Sequence, residues 1–152
     1  MGLLYSQGLD EKTLATQSAK PLQDDLKTIA AISSSSELQS QVVKMHRRGL
    51  PAFFAFGSSQ DAKNSRKIIA EFRQSGLGLP ESQYYTRTDE KSVKQRAAYQ
   101  NHLFDVFRKI GYSSNDARSK AEQVFQLEER LAKASLTNVQ LRDPEATYHP
   151  LS

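Results

Sequence analysis

Zinc or general-base chemistry built on imidazole would draw on the three histidines of this chain, His46, His102 and His149. A hydrolytic zinc helix of the HExxH kind sets two imidazoles one turn apart on one face, with the glutamate between them as general base. None of the three is followed by glutamate, and none has a second histidine three or four positions away. The chain has no cysteine, which removes thiolate metal sites and disulfides. Serines are plentiful, but no GxSxG elbow presents one as a nucleophile. His102, near Phe104 and Asp105, reads as a solvent-facing or hydrogen-bonded helix residue rather than a base. Gly76-Leu77-Gly78 lacks the third glycine or the Lys-Ser pair of a phosphate loop. Asp61-Ala62-Lys63-Asn64 has too few carboxylates for calcium. The sequence therefore offers no catalytic, cofactor-binding or metal-ligating residue.

Structural and interface candidates are better defined. Gly76, Gly78 and Pro80 lie within four residues of one another and are followed by Tyr84 and Tyr85. Glycine admits positive φ or close backbone approach, and proline drives the residue before it towards an extended conformation. The expectation is a sharp corner, with positive φ or a close approach at its glycines, strain on any side chain placed at Gly78 if its φ is positive, Leu77 and Leu79 in one apolar layer, and two tyrosines anchoring it. Glu128 follows Val124 by four and precedes Leu131 by three, so it shares the apolar face of a helix. Two readings stand: a rim glutamate whose head reaches water, or a buried carboxylate held by Arg142. Asp143-Pro144 reads as a helix cap with proline at the first helical position.

The elements that position these residues follow from periodicity. At 152 residues, 38% hydrophobic and a mean hydropathy of -0.63, one rather polar domain with its own core is expected. Asp10 caps a helix over Glu11–Ser18, and Pro21 opens another carrying Leu22, Leu26 and Ile29. Ser34 with Glu37, and Ser36 with Gln39, each offer a capping box to a helix that Gly49 ends. The period then shortens. Pro51–Phe56 and Ile68–Phe72 read as strands of a β-hairpin with a long tip over Ser58–Ser65. The competing reading is a helix through Ala62–Arg73. Two long helices follow, from Asp89 to Ile110 and from Ser113 or Ser114 to Ala134, forming an antiparallel αα-hairpin. The first carries Tyr99, Leu103, Val106 and Ile110 on its stripe. The second carries Ala117, Ala121, Val124, Leu127 and Leu131.

The net charge is +4 and the pI about 9.3, but acidic and basic residues interleave, which argues against nucleic acid. No apolar run approaches the ~18 residues of a membrane helix. Met1–Leu9 has neither the basic start nor the apolar core of a signal peptide.

Four runs carry a family resemblance. Gly76-Leu77-Gly78-Leu79-Pro80 with Tyr84-Tyr85 resembles the GLGLPxRxYY segment of the neprilysin and endothelin-converting-enzyme family of zinc metallopeptidases. The resemblance extends to bacterial oligopeptidases of that family. Asp61-Ala62-Lys63-Asn64-Ser65 resembles its DxKNS turn. Leu127-Glu128 with Leu131-Ala132 resembles its LExxLA helix, and Arg142-Asp143-Pro144 with Tyr148 and Pro150 its RDPxxxYNP run. Ser82-Gln83 and His149 depart from the pattern.

The resemblance lies in the N-terminal non-catalytic region. It implies a mainly α, helical lid-type domain with one inserted β-hairpin, roofing a catalytic half that holds the zinc. It further implies peptides as substrates, cut on the amino side of hydrophobic residues, and a periplasmic or extracellular setting for the parent enzyme. The expected partner is the catalytic half. A stand-alone helical peptide- or protein-binding module and a basic nucleic-acid-binding domain are the alternatives. Phe53, Phe54 and Phe56, crowded into one short strand, and Phe104 and Phe107, widening a helix stripe, predict exposed apolar surface, met by that partner or by self-association.

Overall fold

The computed structural model describes residues 2–151. The chain is mainly α. Four helices, α1 (Gly2–Gly8), α2 (Glu11–Gln17), α3 (Gln23–Ala30) and α4 (Ser35–Arg47), precede an antiparallel hairpin of β1 (Phe54–Asp61) and β2 (Asn64–Gln74). After it come α5 (Gln83–Thr86), α6 (Glu90–Lys109), α7 (Ser114–Ala134) and α8 (Pro144–Thr147). Short 3-10 turns stand at Lys20–Leu22 and Gln140–Arg142.

Side-chain caps set most of the boundaries. The carboxylates of Asp10, Asp89 and Asp143 and the hydroxyls of Ser34 and Ser113 accept amides of the helices they open. Ser34 and Glu37 form a complete capping box. The second expected box does not form, because Ser36 and Gln39 already lie inside α4. Pro21 starts a 3-10 turn rather than α3 itself, which begins at Gln23. Gly49 and Gly111 follow α4 and α6 at positive φ. Gly111 donates to the Arg108 carbonyl and Tyr112 to that of Phe107, the paired bonds of a Schellman stop.

The core sits where α5, α6 and α7 meet. α6 and α7 pack antiparallel, and the short α5, which the sequence pattern did not suggest, packs against both. Tyr85, Phe125 and Ala132 form the buried cluster, with Leu77, Leu79, Tyr99 and Leu103 against it. On α7 the buried line runs through Ala117, Ala121, Phe125 and Ala132. This line is rotated from the expected stripe, and Leu127 is exposed. The reason is size: Phe125, one position after Val124, fills the interface better, and the helix turns to bury it.

The hairpin ladder is longer than expected, pairing Phe54 with Gln74 through to Gln60 with Ile68. The tip is not a long loop. Asp61 pairs with Asn64 across Ala62-Lys63, and the register slips between Gln60 and Asp61. Asp61 Oδ1 accepts the Lys63 amide at 2.9 Å and Asn64 Oδ1 the Arg66 amide at 3.2 Å. Such side-chain-closed turns let a tip form in two residues. At the other end Gln74 bonds both the carbonyl and the amide of Leu136 at 2.9 Å, fastening the ribbon to the chain after α7.

Candidate functional site

The two glycines of the corner serve different ends. Gly76 has φ +90, and a Cβ there would meet the Phe53 Cα at 2.9 Å and its carbonyl oxygen at 3.1 Å. Both the left-handed backbone and the close approach require glycine. Phe53 itself lies at φ 65, a sparsely populated region for a bulky residue. Gly78 does not have positive φ, so the left-handed alternative applies to Gly76 and not to Gly78. Its constraint is steric: a Cβ would fall 1.9 Å from the Tyr99 hydroxyl oxygen.

That hydroxyl belongs to the one convergent polar group near the core. Tyr85 is 3% exposed. Its hydroxyl accepts the amides of Gly78 at 3.1 Å and Leu79 at 3.0 Å and donates to Glu128 Oε2 at 2.7 Å. Tyr99 donates to Glu128 Oε1 at 2.9 Å. Burial, with the carboxylate beside them, pushes both phenols well above their ordinary range. Glu128 is half-buried, and a tyrosine occupies each of its oxygens. Arg142, the partner in one of the two readings, is exposed on the 3-10 turn. The correction follows from reach: Tyr85 and Tyr99 already stand beside α7, whereas Arg142 is on the tail that leads to the hairpin. Phenols neutralise no charge, but they satisfy a carboxylate by hydrogen bonds that are stronger for its being ionised.

The remaining candidates are placed around this node. Pro80 is exposed. Tyr84 gives its carbonyl to Arg96 Nη1 at 2.8 Å, and Arg87 gives its own to the same nitrogen at 2.6 Å, so Arg96 closes the C-terminal end of α5. Asp143 caps α8 at the amides of Glu145 and Ala146, and Pro144 is its first residue. The tail then grips the hairpin tip. Tyr148 donates to Asp61 Oδ1 at 3.0 Å, Lys63 Nζ meets Glu145 Oε2 at 2.9 Å, and Nζ lies 4.9 Å from the Tyr148 ring centre. The Lys63 amide, aided by Tyr148 and opposed by desolvation, holds the Asp61 carboxyl below its usual range. Two pairs of the runs singled out in the sequence thus meet in space, the glycine corner with Glu128 and the hairpin turn with the tail. Tyr99, Arg96 and Gln74 were not identified as partners. Their bonds join positions far apart in the chain, which periodicity does not register.

Chemically, these arrangements bind the chain to itself. His46 stacks on Phe54 at 4.7 Å and its Nε2 lies 3.3 Å from the Ala52 carbonyl oxygen. His149 Nε2 lies 3.0 Å from that of Ala146. Among the described residues, no three of His, Cys, Asp and Glu come together as a metal cluster. These residues do not fit a zinc ion. No described helix is long and apolar enough to cross a membrane.

Comparison with known proteins supplies the wider context. A family model described as peptidase family M13, built on its N-terminal region, matches residues 1–152. Endothelin-converting enzyme 1 of Mus musculus is 34% identical over 113 residues, which is 74% of this chain and 14% of that enzyme. Neprilysin-3 of Drosophila melanogaster is 30% identical over 98 residues, 64% of this chain and 12% of its own. Among solved structures, the inhibitor complex of the Mycobacterium tuberculosis zinc metalloprotease superposes with a TM-score of 0.83 at 32% identity. That match covers 93% of this chain and 22% of the enzyme. The chain thus spans between about a tenth and a quarter of the relatives it matches. With the family model covering it end to end and the fold shared with a solved member, this chain belongs to peptidase family M13, as its N-terminal region.

Proposed function

We propose that this chain is a non-catalytic lid domain of a zinc metalloendopeptidase, walling the substrate cavity while the remaining part of the enzyme holds zinc and hydrolyses peptides. The observation that carries the reading is the state of Glu128. It is a half-buried carboxylate beside the core, and both its oxygens are engaged by Tyr85 and Tyr99. A general base must reach a substrate proton or water, and this carboxylate is turned instead to holding the Gly76–Tyr85 corner against α6 and α7. The kinship to zinc peptidases supports peptides as the substrate class of the whole enzyme. A lid acts by limiting what enters. Its contribution therefore belongs to size selection and to the shape of the cavity.

The experiment is to replace the matched segment of the Mycobacterium tuberculosis enzyme with this chain and compare cleavage of a short peptide with that of a folded protein. Zinc-dependent cleavage of the peptide alone is expected. A fusion that folds but cleaves neither, or cleaves both equally, contradicts the lid reading. The second reading is a free-standing peptide- or protein-binding module. The exposed Phe56, Phe72 and Ile68 favour it, and retention of a specific peptide by the isolated chain would support it.

A further inference from the structure

We infer that the face of the hairpin carrying Phe54, Phe56, Ile68 and Phe72 is the surface on which the rest of a family M13 chain docks. The inference rests on the proposed function and adds the place of contact.

The register assigns the two faces. Phe54, Phe56, Ser58 and Gln60 lie opposite Gln74, Phe72, Ala70 and Ile68, and none of these eight is charged. The opposite face carries the Glu71–Arg73 ion pair at 2.7 Å. A ribbon face left to water is normally broken by charges, whereas the centres of protein interfaces are poor in charge and rich in aromatics. The apolar face is open and becomes more so towards the tip. Phe54 is half-buried under His46, Phe56 is 55% exposed, Phe72 64% and Ile68 72%. Phe54, Phe72 and Phe56 form a continuous ladder, with ring centres 5.5 and 5.0 Å apart. The ribbon that presents them is pinned at both ends, by Gln74 on Leu136 and by the Asp61–Lys63 tip on Glu145 and Tyr148. It therefore offers a fixed surface.

Size selects the occupant. Three exposed side chains make a patch of at most a few hundred Å², short of the ~600 Å² per partner (~1,200 Å² over both) of a stable complex between free partners. A second copy of this chain would need more. A tethered partner does not, because the tether supplies an effective concentration on the order of mM. The solved relative provides such a partner, since this chain matches only 22% of it.

The test is amide hydrogen exchange at Phe54–Ser59 and Ile69–Gln74, in the isolated chain and in the fusion to the Mycobacterium tuberculosis enzyme described above. Exchange is expected to slow by about tenfold or more in the fusion, as the ladder is shielded from opening. Replacing Phe56→Ser and Phe72→Ser together removes that gain. It leaves α6 and α7 protected in both proteins and lowers the thermal midpoint of the isolated chain by no more than about 2–4 °C, because the rings it removes are largely in water and touch only across the ribbon. Equal exchange in both proteins, or a gain that survives the double substitution, overturns the inference. So does slowing in the isolated chain that grows with its concentration, which would make the occupant a second copy. Should the fusion lose protection in α6 and α7, the enzyme lacking the matched segment is added to this chain as a separate, excess component and the same amides are read. An active fusion with an unslowed hairpin overturns this inference alone. An inactive fusion with a slowed hairpin overturns the proposed function alone.

Discussion

Glu128 concentrates what single residues contribute to this molecule. Removing it leaves the buried phenol of Tyr85 and the half-buried one of Tyr99 without their acceptor, so Glu128→Ala is expected to lower stability by about 2–3 kcal/mol. Arg142→Ala, at an exposed position away from the node, should fall within about 0.5 kcal/mol of the parent. Urea unfolding of the two variants checks both, and a larger loss at Arg142 would restore the ion-pair reading. Gly78→Ala drives a methyl into the Tyr99 hydroxyl and should cost about 1–3 kcal/mol, as overpacking does. Much of that loss should vanish in a Tyr99→Ala background, which a double-mutant cycle measures. The phenols also set an alkaline response. Folding raises the pKa of Tyr85 and Tyr99 above the ordinary value near 10. Their contribution is therefore complete below pH ~10 and is lost as pH rises from there towards the folded values. In a titration of phenolate absorbance, the difference between parent and a Tyr85→Phe variant should appear only above the ordinary range, together with loss of structure.

At the scale of elements, much was legible because the signals are local. Asp10, Ser34 and Asp143 cap the helices at which their types and positions pointed, Ser113 does so as one of two serines offered, and Asp89, read as the start of α6, is its cap. The αα-hairpin followed from two long stripes and a short joint, and the β-hairpin from two apolar runs around turn formers. What escaped reading depends on distance or on a small rotation. The phase of α7 was set by Phe125 rather than Leu127, a shift that only the facing surface of α6 decides. The hairpin tip closed in two residues because Asp61 and Asn64 each bond backbone amides beyond them. The partner of Glu128 came from α5 and α6 rather than from the tail. The grip of the tail on the hairpin tip belongs to this scale too. Its Lys63–Glu145 pair is solvent-exposed, so Lys63→Met with Glu145→Gln should change global stability by less than about 1 kcal/mol. Amide exchange at the tip, around Asp61–Ser65, should nevertheless accelerate while that of α6 and α7 holds. Unchanged exchange at the tip would show that the clasp does not restrain it.

The whole molecule is divided unevenly. Its tightest packing lies around α5, α6 and α7, whereas Leu3, Leu4 and Tyr5 of α1, Leu14 of α2 and the outer hairpin face stand in water. That distribution suits a domain shaped to be enclosed by a larger enzyme, of which the solved relative is more than four times as long as the matched segment. The histidines are occupied with local contacts or lie apart, and the carboxylate at the centre is tied to two tyrosines. The proposed lid reading places catalysis elsewhere in the enzyme. The most direct measurement is hydrolysis of a fluorogenic peptide by the purified chain, with zinc, with a chelator, and with zinc returned after chelation. No cleavage above the blank is expected in any of the three. Cleavage that disappears with the chelator, returns with zinc and follows this chain through purification would contradict the proposal that it is the non-catalytic lid of a zinc peptidase.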